Sequence, residues 1–189
     1  MQAELKMLED EKAFQARGKA SKRIWGNSLI YPIAAVADEA SDESLDAKVV
    51  HALSFKKSEL SRYGDFDAER GDFKMDEVIM RAKSVEMIID YPLNKPAHLI
   101  ITDLPEDCLT AHLICKSVSE AYHEIYRIED QGQEVPKTQE AGGITFLNRP
   151  STDGAFGVWG HGITDLVIEI IEVYDEGDGR ALVRLAVGS

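Results

Sequence analysis

No stretch of this 189-residue sequence is apolar for long enough to cross a bilayer; the best run, residues 183–187, is already broken by Arg184. A membrane-spanning helix needs about 20 such residues, so no membrane partner is expected. The first dozen residues lack the apolar centre of a secretory signal. Glu4, Glu9, Asp10 and Glu11 are equally out of place in an Arg-rich transit peptide, so a cytoplasmic address is expected. Cysteine is scarce. Cys108 and Cys115 fall on a segment read as helix, where their spacing rises about 10 Å, beyond disulfide reach, and both are expected as reduced thiols. Positive charge is short as well: 21 Lys and Arg stand against 34 Asp and Glu, a net charge of −13. A surface of that sign repels nucleic-acid backbones, so no nucleic-acid partner is expected. Glycine-rich phosphate loops, dinucleotide-binding glycine patterns and Gly-x-Ser-x-Gly elbows are missing.

What remains is the composition of a folded domain, 44% hydrophobic and 29% charged. A chain of this length buries roughly 70% of its unfolded surface and needs no disulfide or metal to hold together. Residues 2–17 are helix formers without Gly or Pro, with Leu5 and Leu8 at helical spacing and Gly18 as a stop. Residues 24–36 read as an extended, anchored segment, and residues 38–46 as an acid-rich linker. Residues 48–60 read as a short mixed element, and residues 63–76 as an acid-rich loop.

From residue 77 the pattern sharpens. Val85, Met87, Ile89 and Tyr91 alternate with other residues as in a half-buried strand; Ala97, Leu99 and Ile101 do so again beyond a turn at 92–96. Leu109, Leu113, Val118, Ala121, Tyr122, Ile125 and Ile128 make one apolar stripe of a helix over 107–129, with Asp107 or Thr110 as N-cap. Residues 166–174 and 181–187 read as two strands, the first apolar enough on both faces to lie inside the sheet. The expected fold is α+β: a small, mainly antiparallel sheet in strand-strand-helix-strand-strand order, with one helix across it. The expected divisions are a charged helical and extended arm (1–37), an acidic linker with mixed elements (38–76), and the α+β domain (77–189).

The most distinctive segment is 157–166, with Gly157, Gly160 and Gly162 around Trp159 and His161 and with Asp165 close behind. Read for chemistry, His161 is a general base or metal ligand oriented by Asp165, the basis of a hydrolase-like alternative. Read for structure, Trp159 plugs the core while His161 and Asp165 hydrogen-bond the backbone of a tight loop. With Asp165-Leu166, the helix at 121–126 and the tail Val187-Gly188-Ser189, this segment resembles a pattern of small uncharacterised proteins of protists, fungi and large DNA viruses. The Asp that often follows the His in that pattern is Gly162 here. The resemblance spans about the last 100 residues of the 189 and implies a domain boundary before them, with no activity attached.

Other constellations are weaker. Asp65, Asp67 and Glu69 open like a calcium loop, but Arg70 stands where the invariant Gly belongs, and a solvated acidic loop accounts for them. His112 and His123 lie about 16 Å apart along one helix face and cannot share a metal. Glu120 and His123 would give two ligands without a further pair, so neither metal nor cofactor is expected. The reading favoured by the sequence is a non-catalytic protein-interaction or assembly module, binding a protein partner or a second copy of itself. Its contact residues are expected in the arm: the basic patch Arg17, Lys19, Lys22 and Arg23, running into the anchors Trp25, Leu29 and Tyr31.

Overall fold

The structure is a computed structural model that describes residues 1–33, 75–130, 139–141, 144–146 and 151–189. The expected linker at 38–46, the mixed element at 48–60 and the Asp65/Asp67/Glu69 loop lie outside these residues.

The α+β class holds. A mixed six-stranded sheet runs through the molecule in the spatial order β1-β5-β4-β10-β9-β2. Its strands are β1 (Gln2–Met7), β2 (Lys22–Pro32), β4 (Ser84–Ile89), β5 (Ala97–Thr102), β9 (Val167–Gly177) and β10 (Arg180–Gly188). All neighbours are antiparallel except β10 and β4, which pair in parallel from Arg180↔Ser84 to Val183↔Met87. Two short ribbons stand beside the sheet: β3 (Val78–Arg81) with β6 (Cys108–Thr110), and β7 (Gln139–Ala141) with β8 (Ile144–Phe146). Among the described residues there are two α-helices, α1 (Glu11–Ala20) and α2 (Ala111–Asp130).

Local chemistry explains most element ends. β9 is rich in β-branched residues and joins β10 through Asp178 and Gly179, both at positive φ (54° and 72°), the conformation a two-residue hairpin requires. α2 begins where Thr110 Oγ1 accepts the Leu113 N–H (3.1 Å), so Cys108 belongs to β6 and not to the helix. Both cysteines are free, and burial pushes the Cys115 thiol up. α1 begins at Asp10, whose Oδ1 accepts the Ala13 N–H (2.9 Å). It ends at Ser21, whose N–H and hydroxyl both donate to Arg17 O, so Gly18 is an inner, buried residue of the helix rather than its stop.

The sheet has a layer on each face. Ala111, Ile114, Val118, Tyr122 and Ile125 of α2 share one apolar core with Val85, Met87 and Ile89, Leu99 and Ile101, Ile171 and Val173, and Val183. Each such large aliphatic side chain contributes about 1.5–3 kcal/mol on burial. On the other face Phe14 of α1 packs with Ile88, Tyr174 and Leu182, bordered by Leu8.

The first 33 residues correct the sequence reading. Residues 2–7 are a strand, not the start of a helix over 2–17. β1 pairs residue for residue with β5, and β2 runs antiparallel along β9. The expected arm therefore supplies both outer strands of the sheet among the described residues, and its order begins strand-helix-strand before the hairpin at 84–102. Gln2–Met7 are good helix formers taken one by one, and a sheet edge overrides that preference. β2 carries its anchors inward: Leu29 and Tyr31 are 1% exposed and Ile33 is fully buried.

Candidate functional site

A buried carboxylate organises the loop that leads into β9. Glu129, in the last turn of α2, is 2% exposed. It accepts hydrogen bonds from the Thr152 hydroxyl, the Phe156 N–H (2.7 Å) and the Gly154 N–H (3.2 Å). Burial works against its charge, but these donors outweigh that and hold its pKa below the usual glutamate range. A Cβ at residue 154 would run into this carboxylate. Thr152 and Val158 then close the loop on itself through Thr152 N–H to Val158 O (2.8 Å) and Val158 N–H to Thr152 Oγ1 (2.9 Å).

The closed loop is stitched to the connection between β4 and β5. Asn94 N–H donates to Gly157 O, Lys95 N–H to Phe156 O and Trp159 N–H to Pro92 O, at 2.9 to 3.0 Å. Gly157 has φ +68°, and a Cβ there would come within 2.9 Å of the Asn94 amide nitrogen, so no other residue fits without a shift. Gly160, also at φ +68°, lets the chain reverse so that His161 N–H reaches Trp159 O (2.9 Å).

These contacts assemble an aromatic face from two distant pieces of chain. The rings of Tyr91, Trp159 and His161 lie 5.3 to 5.7 Å apart, centroid to centroid. The Tyr91 hydroxyl is 2.9 Å from His161 Nε2 and 2.9 Å from Ser189 Oγ, a row of two hydroxyls and an imidazole. From beneath, α2 holds both backbones, Tyr122 donating to Tyr91 O and Tyr126 to His161 O (2.8 Å). Tyr122 and Tyr126 are one helical turn apart, so a single helix face fixes the two residues whose side chains bond each other. Burial raises the Tyr122 pKa well above the usual value, keeping that hydroxyl a donor.

The structure corrects the sequence reading of this segment at two points. Trp159 does not plug the core. The residue is 38% exposed, and Val158 (0%) and Phe156 (4%) fill the interior instead. Asp165 does not orient His161; its Oδ2 accepts the Gly162 N–H (2.9 Å), while the His161 ring bonds Tyr91. Tyr91 itself escapes a sequence reading, because it sits 70 positions from His161 and looks like the next alternating strand residue. β4 ends at Ile89, so Tyr91 stands in the turn beyond the strand.

The expected arm contacts are dispersed or already engaged. Arg17 binds Glu176 through Nε (2.9 Å) and NH2 (2.6 Å), and Glu86 through NH1 (2.9 Å). The Glu176 and then the Glu86 hydrogen bonds raise its pKa. Burial disfavours a charged Glu86, yet Arg17 turns the balance and lowers its pKa. Arg23 NH1 reaches Glu172 (2.7 Å), whereas Lys19 and Lys22 are exposed. Trp25 packs partly buried against the core. Leu29 and Tyr31, buried within it, are not available to a partner.

The remaining polar residues do not converge. His112 Nδ1 lies 3.2 Å from Asp76, and Arg127 pairs with Glu124 one turn back on α2 (2.5 Å). Among the described residues no group of three or more His, Cys, Asp or Glu is placed to hold a metal ion. No described helix is long and apolar enough to cross a membrane. Comparisons of the chain with protein-family models, curated proteins and solved structures find no significant match.

Proposed function

We propose that this chain is a non-catalytic protein-interaction or assembly module whose contact surface is the face formed by Trp159, Tyr91 and His161. The observation that carries the reading is a tryptophan left 38% exposed on a loop tied down by hydrogen bonds to Glu129, Asn94, Lys95 and α2. A large, pre-positioned aromatic ring loses little conformational freedom on binding, and Trp and Tyr dominate interface energies for that reason. The surrounding hydroxyls and imidazole provide a polar rim around an apolar centre. A protein partner inserting an apolar side chain against Trp159 suits this surface. Nucleic acid does not, given the net charge of −13.

The hydrolytic alternative built on His161 and Asp165 has less support, because the carboxylate meant to orient the imidazole is engaged with Gly162. Binding measurements on Trp159→Ala decide between them. The variant should weaken partner binding by roughly tenfold or more, as loss of a central aromatic anchor does. Its own stability should fall by less than about 1.5 kcal/mol, whereas Phe156→Ala should cost about 3–5 kcal/mol. Unchanged binding by a folded Trp159→Ala variant rejects the surface. A His161→Gln variant that melts normally but loses a turnover seen with wild type favours the enzyme.

A further inference from the structure

The two edges of the sheet are built differently. β2 is bulged twice, between Arg23 and Trp25 and between Ser28 and Tyr31, and bulges blunt an edge against further pairing. β1 runs in unbroken register from Gln2↔Thr102 to Met7↔Ala97 and is, among the described residues, the terminal strand of the sheet. Its outer edge is not covered by α1. That helix turns inward across the sheet, placing Phe14 beside His98 of β5 and Gly18 over Leu182 of β10.

The hydrogen-bond parity of β1 is also fixed. Leu8 N–H donates to Pro96 O (2.9 Å), so the even-numbered residues direct their backbone groups at β5. Ala3, Leu5 and Met7 direct theirs outward. A two-fold antiparallel pairing centred on Leu5 uses these three residues and sets Ala3 opposite Met7 of the second copy. Leu5, which packs on the core, continues that apolar row across the junction, and Met7 is 52% exposed. On the opposite face the same register sets Glu4 against Lys6 of the second copy, twice. The neighbouring registers set Glu4 against Glu4 or Lys6 against Lys6, and like charges directly opposite are unfavourable. The strand is therefore self-complementary in one register and self-repelling in those beside it.

We infer that β1 is a homodimerisation edge, joining two copies of this chain in antiparallel register about Leu5 and making one sheet continuous across both. The two-fold axis leaves both α2 helices on the same face of that sheet. This surface is separate from the Trp159 face and stands whether or not that face binds a partner.

Sedimentation equilibrium of the full chain across a concentration series tests the inference with charge variants. Wild type should show a reversible monomer–dimer equilibrium. Glu4→Lys alone, or Lys6→Glu alone, should weaken dimerisation by roughly tenfold or more, since each makes both cross-strand pairs repulsive. The double variant, and an equimolar mixture of the two single variants, should recover the dimer, because each again opposes Glu to Lys. Circular dichroism melts confirm that each variant is folded. A wild type that stays monomeric throughout, single variants that dimerise as wild type does, or a folded double variant that does not recover would each overturn it.

Discussion

Glu129 shows how much of this molecule depends on a single buried atom pair. A carboxylate at 2% exposure is tolerable only where donors surround it, and here a hydroxyl and two backbone N–H groups do so. Glu129→Gln keeps the shape but replaces one acceptor oxygen with an NH2 facing donors. It should destabilise by about 2–4 kcal/mol, measured by urea denaturation at neutral pH. The pH dependence has a definite sign. A pKa lowered on folding means that the stabilisation is complete above the unfolded glutamate value and is lost as pH falls through the folded value. Wild type should thus lose stability more steeply than Glu129→Gln in the acid range, and the two curves should converge at low pH. Curves that stay parallel below the glutamate range would mean that the carboxylate charge is not what holds the loop. None of this is legible in sequence, where Glu129 is one more acid near the end of an amphipathic helix. Trp159 and its three flanking glycines, by contrast, stand out at once, because large rings between positive-φ positions are rare in any composition.

Elements divide by whether their periodicity survives reading one strand of sequence at a time. The hairpin β4–β5, helix α2 and the pair β9–β10 are legible because each buries one face, or both, and the pattern repeats over several turns or pleats. β1 carries the strand signal too, Ala3, Leu5 and Met7 alternating with Gln2, Glu4 and Lys6, but helix-forming residue types and the Leu5–Leu8 spacing hide it until β5 pairs with it. α1 is legible as helix but not as a packed layer, since it presents only Phe14 to a small apolar cluster that Leu8, ahead of the helix, borders. What fixes α1 to the sheet is Arg17, whose guanidinium bridges Glu176 and Glu86 on two different strands. Arg17→Ala should cost about 1–2 kcal/mol, because part of the network is solvent-screened while two carboxylates lose their shared partner. Arg17→Lys should recover little of this, as an ammonium cannot span both acids with a planar fork. Thermal melts of the two variants at low and high salt check both statements. A lysine variant as stable as wild type would mean that charge alone, not the bridging geometry, holds the helix down.

At the scale of the whole molecule, the question is whether residues 1–33 can be separated from the rest. Their charged start and the acid-rich run that follows suggest an appendage, and on that reading deletion would leave a folded domain that no longer binds. The sheet argues otherwise. β2 and the residue after it contribute Leu29, Tyr31 and Ile33 to the core, all at or below 1% exposure. At about 1.5–3 kcal/mol for each large buried side chain, their loss alone removes roughly 5–9 kcal/mol. That is comparable with the entire stability of a typical domain, roughly 5–15 kcal/mol. Deletion also strips the partner from one side of β9, whose Ile168, Ile171 and Val173 are buried, and leaves an inner, apolar strand as an open edge. A fragment of residues 34–189 should therefore show no cooperative thermal transition and should aggregate at concentrations where the full chain is soluble. Adding a peptide of residues 1–33 should restore part of the transition, because it can re-enter the sheet beside β9 and β5. A fragment that melts cooperatively near the full-length temperature, with or without the peptide, would show that the outer strands are dispensable. The core between α2 and the four inner strands would then have to be stable without them.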